Sequence, residues 1–494
     1  MNLSFVRILS VSSLALAAVF TLSAAPSDAA PRKKAPAAQR ALPWIETAAQ
    51  LRDRAMVGTI AYSLVEDITT RFGPRPAGSD AERRAAEWGA QKLKALGFAN
   101  VAIETFPLVP WTRISESGSI IAPYPQPLTI SLLGGSVSTP PQGIEAEAVV
   151  FDTFQALQDT APGSLTGKIA VVLQPTVRVQ DGSGYGFASA IRSQGPSVAA
   201  SKGAVAFVMR GLGTHDHRFA NTGSTKRTPA AVPGFSVSPP DAMQLARAAR
   251  AGPMHLRLNG QAVVPANGES RNVVAEIRGR ERPDEVIVIG GHLDSWDMGT
   301  GAIDDAAGVA ITTAAAKLIA DLPVRPRRTI RVVWFGSEEL SQPDPAPGLA
   351  GGRNYAERRK DVIAGHVIAS ESDFGAGRAY SLTLPAGWQS GAFQKAAMQL
   401  LAPIGLTFDT RPATSGGPDV SPLAPLGVPA FRLNQDGSDY FDYHHTPDDV
   451  LERVDARLLD QNVAAWAVML WLIADSDVDF RKPAPDAPPA PPAK

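Results

Sequence analysis

The chain has 494 residues, with 47 Lys and Arg against 48 Asp and Glu and a formal net charge of −1, so two or three domains fit and no basic excess points to nucleic acid. It contains no cysteine. Disulfides, thiolate metal sites and cysteine nucleophiles are thereby excluded, and any metal must be held by His and carboxylates.

Residues 1–30 read as an export signal. Arg7 supplies a positive start, Ile8 to Leu22 is mostly apolar, and small residues follow, with cleavage points after Ala25, Ala29 or Ala30. The apolar run is short for a membrane span, and no later stretch has about 20 consecutive apolar residues. The expected address is the periplasm or the extracellular medium, with no stable membrane insertion after signal cleavage. Residues 31–40 are rich in Pro, Ala and basic side chains, and residues 481–494 form a Pro/Ala tail. Both compositions predict disorder.

A helical pattern runs from Trp44 to Thr70. Ser79 can cap a helix reaching about Leu96, with Glu82 completing a capping box. Val101 to Phe106 reads as a strand. These elements form the first part of a catalytic domain, residues 41–110. From 111 to 265 the character changes to short β-branched runs broken by Gly and Pro. Strands are expected at Gly167–Leu173 and Gly203–Met209, with a short helix closing at Ala199–Lys202. This is a β-rich module inserted into the catalytic domain.

Helix–strand alternation resumes over residues 266–480. Strands are expected at Glu285–Ile289, Thr329–Phe335, Ala364–Ala369 and Ala430–Leu433. Helices are expected at Gly308–Ile319, Gly352–Arg358 and Ala456–Ala474, the last with Leu459, Val463, Trp466 and Leu470 on one face. Such alternation predicts an α/β fold: a mostly parallel mixed sheet covered by helices on both faces.

Polar clusters follow these elements. Gly290-Gly291-His292-Leu293-Asp294 ends one strand, and Asp294 is placed to orient the His292 ring from behind. Asp304-Asp305 precedes a helix; Asp305 can serve as its cap, which frees Asp304 to bridge two cations. Glu338-Glu339 follows the next strand. One can bind metal while the other faces substrate as a general base, although two acids also suit an ordinary helix start. In Glu371-Ser372-Asp373 either acid can be a ligand. Tyr443-His444-His445 holds two of only seven histidines, with Asp449 nearby as a cap for the following helix. Together these supply two histidines and three or four carboxylates, the set for two zinc ions sharing one carboxylate. The N/O mixture suits zinc better than magnesium or calcium.

With these motifs in order, and with Gly73-Pro74-Arg75 and Gly78-Ser79 upstream, the chain resembles the co-catalytic zinc peptidases of metallopeptidase family 28. The likeness extends over nearly the whole mature chain. It implies a zinc-exopeptidase fold with two Zn2+ per chain. Asp304 would bridge both, His292 and Asp373 would complete one site, and Glu339 and His445 the other. Glu338 would be the general base, Asp294 would orient His292, and His444 would assist the tetrahedral intermediate. The resemblance also implies a cis peptide between Asp304 and Asp305, and identifies residues 111–265 with the protease-associated domain. His215 and His217 would be loop or rim residues. A homodimer is implied by the family alone. The expected substrates are dipeptides or short unblocked peptides. Asp419 is open to two readings, holding a substrate ammonium or capping a loop. A Pro-rich expansion at 341–348 departs from the family pattern beside the site. Two other functions use the same features: a receptor-like binding module that has lost catalysis, and a two-metal phosphoesterase. The latter lacks a basic cluster for phosphate.

Overall fold

Short β-branched runs build the sheet around which the chain is arranged. The computed structural model describes residues 43–482, 484 and 485. The segments expected to be an export signal and a leader, and most of the expected tail, lie outside the described residues. Five strands make the central sheet: β1 (Ala99–Leu108), β2 (Gly268–Ile277), β3 (Arg282–His292), β4 (Arg328–Phe335) and β5 (His366–Glu371). Their spatial order is β1-β2-β4-β3-β5. β4, β3 and β5 run parallel, whereas β1 and β2 pair antiparallel to their neighbours.

Four of the five strands therefore run the same way and β2 alone is reversed, so the sheet is mixed, with two parallel and two antiparallel pairs. Only residues 278–281 join β2 to β3. Parallel strands need a crossover of a dozen or more residues, so so short a connection reverses the chain. A separate three-stranded sheet contains Arg432–Gln435, a little later than the strand expected at Ala430–Leu433.

Seven helices matter here: α1 (Pro43–Ala55), α2 (Ala61–Phe72), α3 (Asp80–Ala95), α4 (Ser183–Ser201), α5 (Ala307–Ala320), α6 (Ala350–Arg358) and α7 (Ala456–Ala474). The sheet is buried on both faces. Along β3, Ile287 and Ile289 join the core under α1, α2, α5 and α7, while Val286 and Val288 join the core under α6. Burying each such side chain contributes about 1.5–3 kcal/mol.

The pattern from Trp44 to Thr70 forms two helices instead of one. The chain turns at Gly58, whose φ of 146° is open to glycine. Ser79 caps α3 as expected, its Oγ accepting from Glu82 N at 3.1 Å. The reciprocal half of the capping box is absent. Glu82 Oε2 accepts instead from Gly78 N at 2.6 Å, and its other oxygen takes the Ser270 hydroxyl. The final helix has its expected ends, but α7 is buried on all sides from Gln461 to Ala474, between the sheet, α1 and α5.

Residues 112–263 form an eight-stranded mixed sheet of their own, with α4 packed on it. At 19 residues α4 is longer than the short helix expected. This layer shares a core with Leu108, Trp111, Trp296 and Leu340, so the described residues form one compact unit. Among them no helix is long and apolar enough to cross a membrane.

Candidate metal centre

Three parallel neighbours deliver the polar clusters to one edge. In register, His292 lies opposite Phe335 and Gly290 opposite Glu371. The residues after β4, β3 and β5 therefore emerge together at the carboxyl ends, where α/β sheets place their ligands. Gly291 is required for close packing: a Cβ there would lie 2.4 Å from Asp305 Oδ2. That oxygen accepts His292 N at 3.0 Å, and Oδ1 accepts Gly308 N at 3.0 Å. Asp305 is thus the cap, and Asp304 is left to the cleft.

Asp304 stands between two groups. Its Oδ1 is 3.0 Å from His292 Nε2, and Asp373 Oδ1 is 3.5 Å from the same nitrogen. Its Oδ2 is 3.1 Å from His445 Nε2 and 3.4 Å from His444 Nε2. Glu339 Oε2 lies 2.9 Å from His445 Nε2. The ligand-capable atoms of His292, Asp304 and Asp373 converge, as do those of Asp304, His444 and His445. Glu339 belongs beside the second group. Its Oε2 is engaged by Trp296 Nε1 at 2.6 Å, but its Oε1 is buried without a partner. The Asp304–Asp305 peptide is cis.

The rings are set to offer lone pairs. His292 Nδ1 lies 2.9 Å from the main-chain oxygen of Asp294 and 3.7 Å from its carboxylate. A proton on Nδ1 is donated to that carbonyl, which turns Nε2 toward Asp304 and Asp373. The ring thus meets the Asp294 main chain directly, with the Asp294 carboxylate in ion-pair range behind it. The Asp294 carboxylate accepts the N–H groups of Glu338 at 3.1 Å and Glu339 at 3.3 Å. Local geometry explains the main-chain contact, because the carbonyl closes a tight turn onto the ring two residues back. His445 Nδ1 faces Thr222 O at 3.3 Å.

Charge follows the same geometry. Burial would lower His292, but hydrogen bonds to Asp304 and Asp373 outweigh it and hold the ring well above its ordinary value. Burial would raise Asp304, yet His292 and His445 hold it well below the carboxylate range. Burial raises Glu338 well above its ordinary value, and Asp373, Glu339 and Asp419 add to this against the pull of His292. Half-buried Glu338 lines a cleft of about 370 Å³ with Asp304, Glu339, Asp373, His444 and His445.

Other parts of the chain hold this edge in place. Arg75 is fully buried, and its guanidinium donates to Leu293 O, Gly73 O, Thr300 O and Gly301 O at 2.6–3.0 Å. Asp449 does not cap the following helix. Its Oδ1 accepts Ala302 N and Ile303 N, each at 2.7 Å, just before Asp304. Asp419 Oδ1 accepts Gly352 N at 3.3 Å in the first turn of α6, while its Oδ2 is buried without a partner. The Pro-rich expansion is pinned to the inserted layer: Ser341 N donates to Ser224 Oγ at 2.9 Å, and Asp344 N to Arg227 O at 3.2 Å. His215 and His217 join neither cluster; His217 is 3.7 Å from Asp448.

The inserted layer adds residues for which the sequence carried no signal. Arg192 and Tyr185 on α4 line the cleft, and Thr222 N donates to His445 O while Thr222 O faces the His445 ring. Their partners are more than 200 residues away, beyond the reach of any local pattern.

Comparison with known proteins settles the family. The model of peptidase family M28 matches residues 272–470. Carboxypeptidase Q of Bos taurus is 32% identical over 418 residues, which cover 84% of this chain and 85% of that protein. The chain belongs to peptidase family M28. It is a metallopeptidase, and all three parallel strand ends of its centre fall within the matched residues. A peptidase M28 precursor from Shewanella amazonensis is 43% identical to the peptidase, with a TM-score of 0.84 over 90% of this chain and 99% of that one. A zinc aminopeptidase from Bacillus subtilis shares the fold at 18% identity, with a TM-score of 0.59 over 87% of this chain and 98% of that one.

Proposed function

We propose that the peptidase is an exported dizinc exopeptidase that cuts the terminal peptide bond of dipeptides or short unblocked peptides. One observation carries this reading: two groups of His and carboxylate atoms share Asp304, with Glu338 beside them in the same cleft. The donor set is nitrogen and oxygen only, and it includes a buried oxygen, Glu339 Oε1, that lacks a partner. Such a set fits zinc. His292 and Asp373 would hold one ion, Glu339 and His445 the other, with Asp304 between the two groups. Residues 1–30 direct export. Residues 111–265, a protease-associated domain, divide the catalytic domain into 41–110 and 266–480.

When bound, the ion pair lowers the pKa of a shared water toward neutrality and polarises the scissile carbonyl. Glu338 takes the proton from that water and later returns it to the leaving amine. The Asp294 carboxylate holds the Glu338–Glu339 turn so that one acid faces substrate and the other faces the ligand group. His444 stacks on His445 at 3.6 Å and lines the cleft, where it hydrogen-bonds the oxygen of the tetrahedral centre.

The test is metal content measured alongside hydrolysis of dipeptides, aminoacyl-anilides, an N-blocked peptide and a phosphoester. About two zinc per chain with chelator-sensitive release of terminal residues is expected. Hydrolysis of the phosphoester alone would overturn the reading. So would bound zinc with every peptide left intact.

A further inference from the structure

A groove of about 840 Å³ opens at the far end of the sheet from the metal centre, beside Arg327, where β4 begins. Buried Trp388, Phe393 and Ala396 line it, together with half-buried Trp44, Ile45 and Val478. The charged side chains at its rim are paired: Arg327 with Asp477 at 2.8 Å, Asp475 with Arg280 at 2.5 Å, and Asp479 with Arg481 at 2.7 Å and Lys482 at 3.5 Å. An occupant of the groove is therefore apolar and uncharged along the part that enters it.

The chain's own carboxyl-terminal segment leads into this groove. The Phe480 ring lies 4.6 Å from that of Trp388 and 5.0 Å from that of Phe393. Trp388 Nε1 donates to Lys482 O at 2.9 Å, Ala484 is buried, and Pro485 lines the groove. Asp486-Ala487-Pro488-Pro489-Ala490-Pro491-Pro492-Ala493-Lys494 follows, with no charge between Asp486 and Lys494. Composition alone predicts disorder for this tail, but its spacing is periodic. A polyproline II helix has three residues per turn. On it Ala484, Ala487, Ala490 and Ala493 share one face, Pro485, Pro488 and Pro491 a second, and Pro489 and Pro492 the third. Aromatic-lined grooves take such helices because the bound shape is already set and little entropy is lost. Proline also brings no N–H donor that burial would leave unsatisfied.

We infer that residues 487–493 dock in this groove of their own chain as a polyproline II segment, the alanine face continuing from buried Ala484. At about 3.1 Å per residue the segment reaches about 22 Å beyond its start. Docking completes the burial of Trp44, Ile45 and Val478 and ties α1, at the start of the described chain, to the chain's last residues. The inference stands apart from the reading of the metal centre, which lies at the other end of the sheet.

The test is fluorescence anisotropy of a labelled peptide of residues 486–494 on zinc-loaded protein. The peptide is N-acetylated, so that an enzyme for unblocked peptides leaves it intact. Three proteins are compared: the wild type, a chain ending at Pro485, and a full-length chain with Pro488, Pro489, Pro491 and Pro492 each replaced by Gly, which keeps the length of the tail and loses the helix. The peptide is expected to bind the two altered chains, and to bind the wild type at least about 10-fold more weakly, because the wild-type tail competes from within the same chain. Val478→Asp in the chain ending at Pro485 should abolish binding, which locates the peptide in the groove. Equal binding to all three proteins would leave the groove open to an outside partner and overturn the inference. So would a failure to bind either altered chain. A wild type that sediments as a dimer, beside a chain ending at Pro485 that sediments as a monomer, would put the tail in the groove of a second copy and overturn docking within one chain.

Discussion

His292 Nδ1 sits 2.9 Å from the carbonyl oxygen of Asp294, while the carboxylate of the same Asp294 accepts the backbone N–H groups of Glu338 and Glu339. One residue thus serves the ring through its main chain and the acidic turn through its side chain. Asp294→Asn keeps the carbonyl and loses a charged acceptor. Zinc content should hold, while kcat falls about 10–100-fold as the turn bearing Glu338 slips. A large loss of zinc affinity with kcat intact would return the carboxylate to the role of partner for His292.

Glu338→Gln removes the only proton-accepting group assigned to the water. The variant should retain zinc and fold normally, and its kcat should drop about 100-fold or more. Near wild-type turnover would remove Glu338 from the mechanism.

Arg75→Met leaves four carbonyl oxygens, those of Gly73, Leu293, Thr300 and Gly301, without their donor. Unfolding in urea should show a loss of at least about 3 kcal/mol. Arg75→Lys should recover part of it, since an ammonium serves fewer acceptors. A loss below about 1 kcal/mol would mean that water replaces the guanidinium.

His366 gives the fold an acid limit away from the centre. Burial, helped by the Arg331 cation, holds it down to about 4 from an ordinary 6.5, and its Nε2 lies 3.0 Å from Tyr355 Oη. Between these values the unfolded chain binds a proton that the folded chain refuses. The contribution is therefore complete above about pH 6.5 and is lost as pH falls toward 4. The loss is about 2 kcal/mol by pH 5. His366→Gln should flatten this limb in urea melts run from pH 7.5 to 5; an unchanged slope would place the acid sensitivity elsewhere.

Dialysis against a chelator should abolish peptide hydrolysis and lower Tm, because zinc binds the folded chain alone. At free zinc 1,000-fold above Kd the stabilisation is about 4 kcal/mol. Zinc should restore both properties, and magnesium neither, because magnesium prefers oxygen ligands. Full activity after complete removal of metal would sink the dizinc reading.

The sequence by itself determined much of the site's chemistry. β-branched runs ending in Gly or polar residues located β3, β4 and β5. The acids and histidines directly after them were legible because strand ends, caps and adjacent pairs are local signals. The absence of cysteine narrowed the donors to nitrogen and oxygen. Tertiary structure alone decided which way β1 and β2 run, because strand direction depends on connections and not on composition. It alone closed the site with Arg192, Tyr185 and Thr222, and buried Arg75 beneath the loop. These contacts join segments more than 200 residues apart, and no spacing rule reaches across that distance. The role of Asp294 was hidden for a different reason. Sequence shows that a carboxylate is near a histidine, but only coordinates show whether the ring meets the side chain or the backbone that carries it.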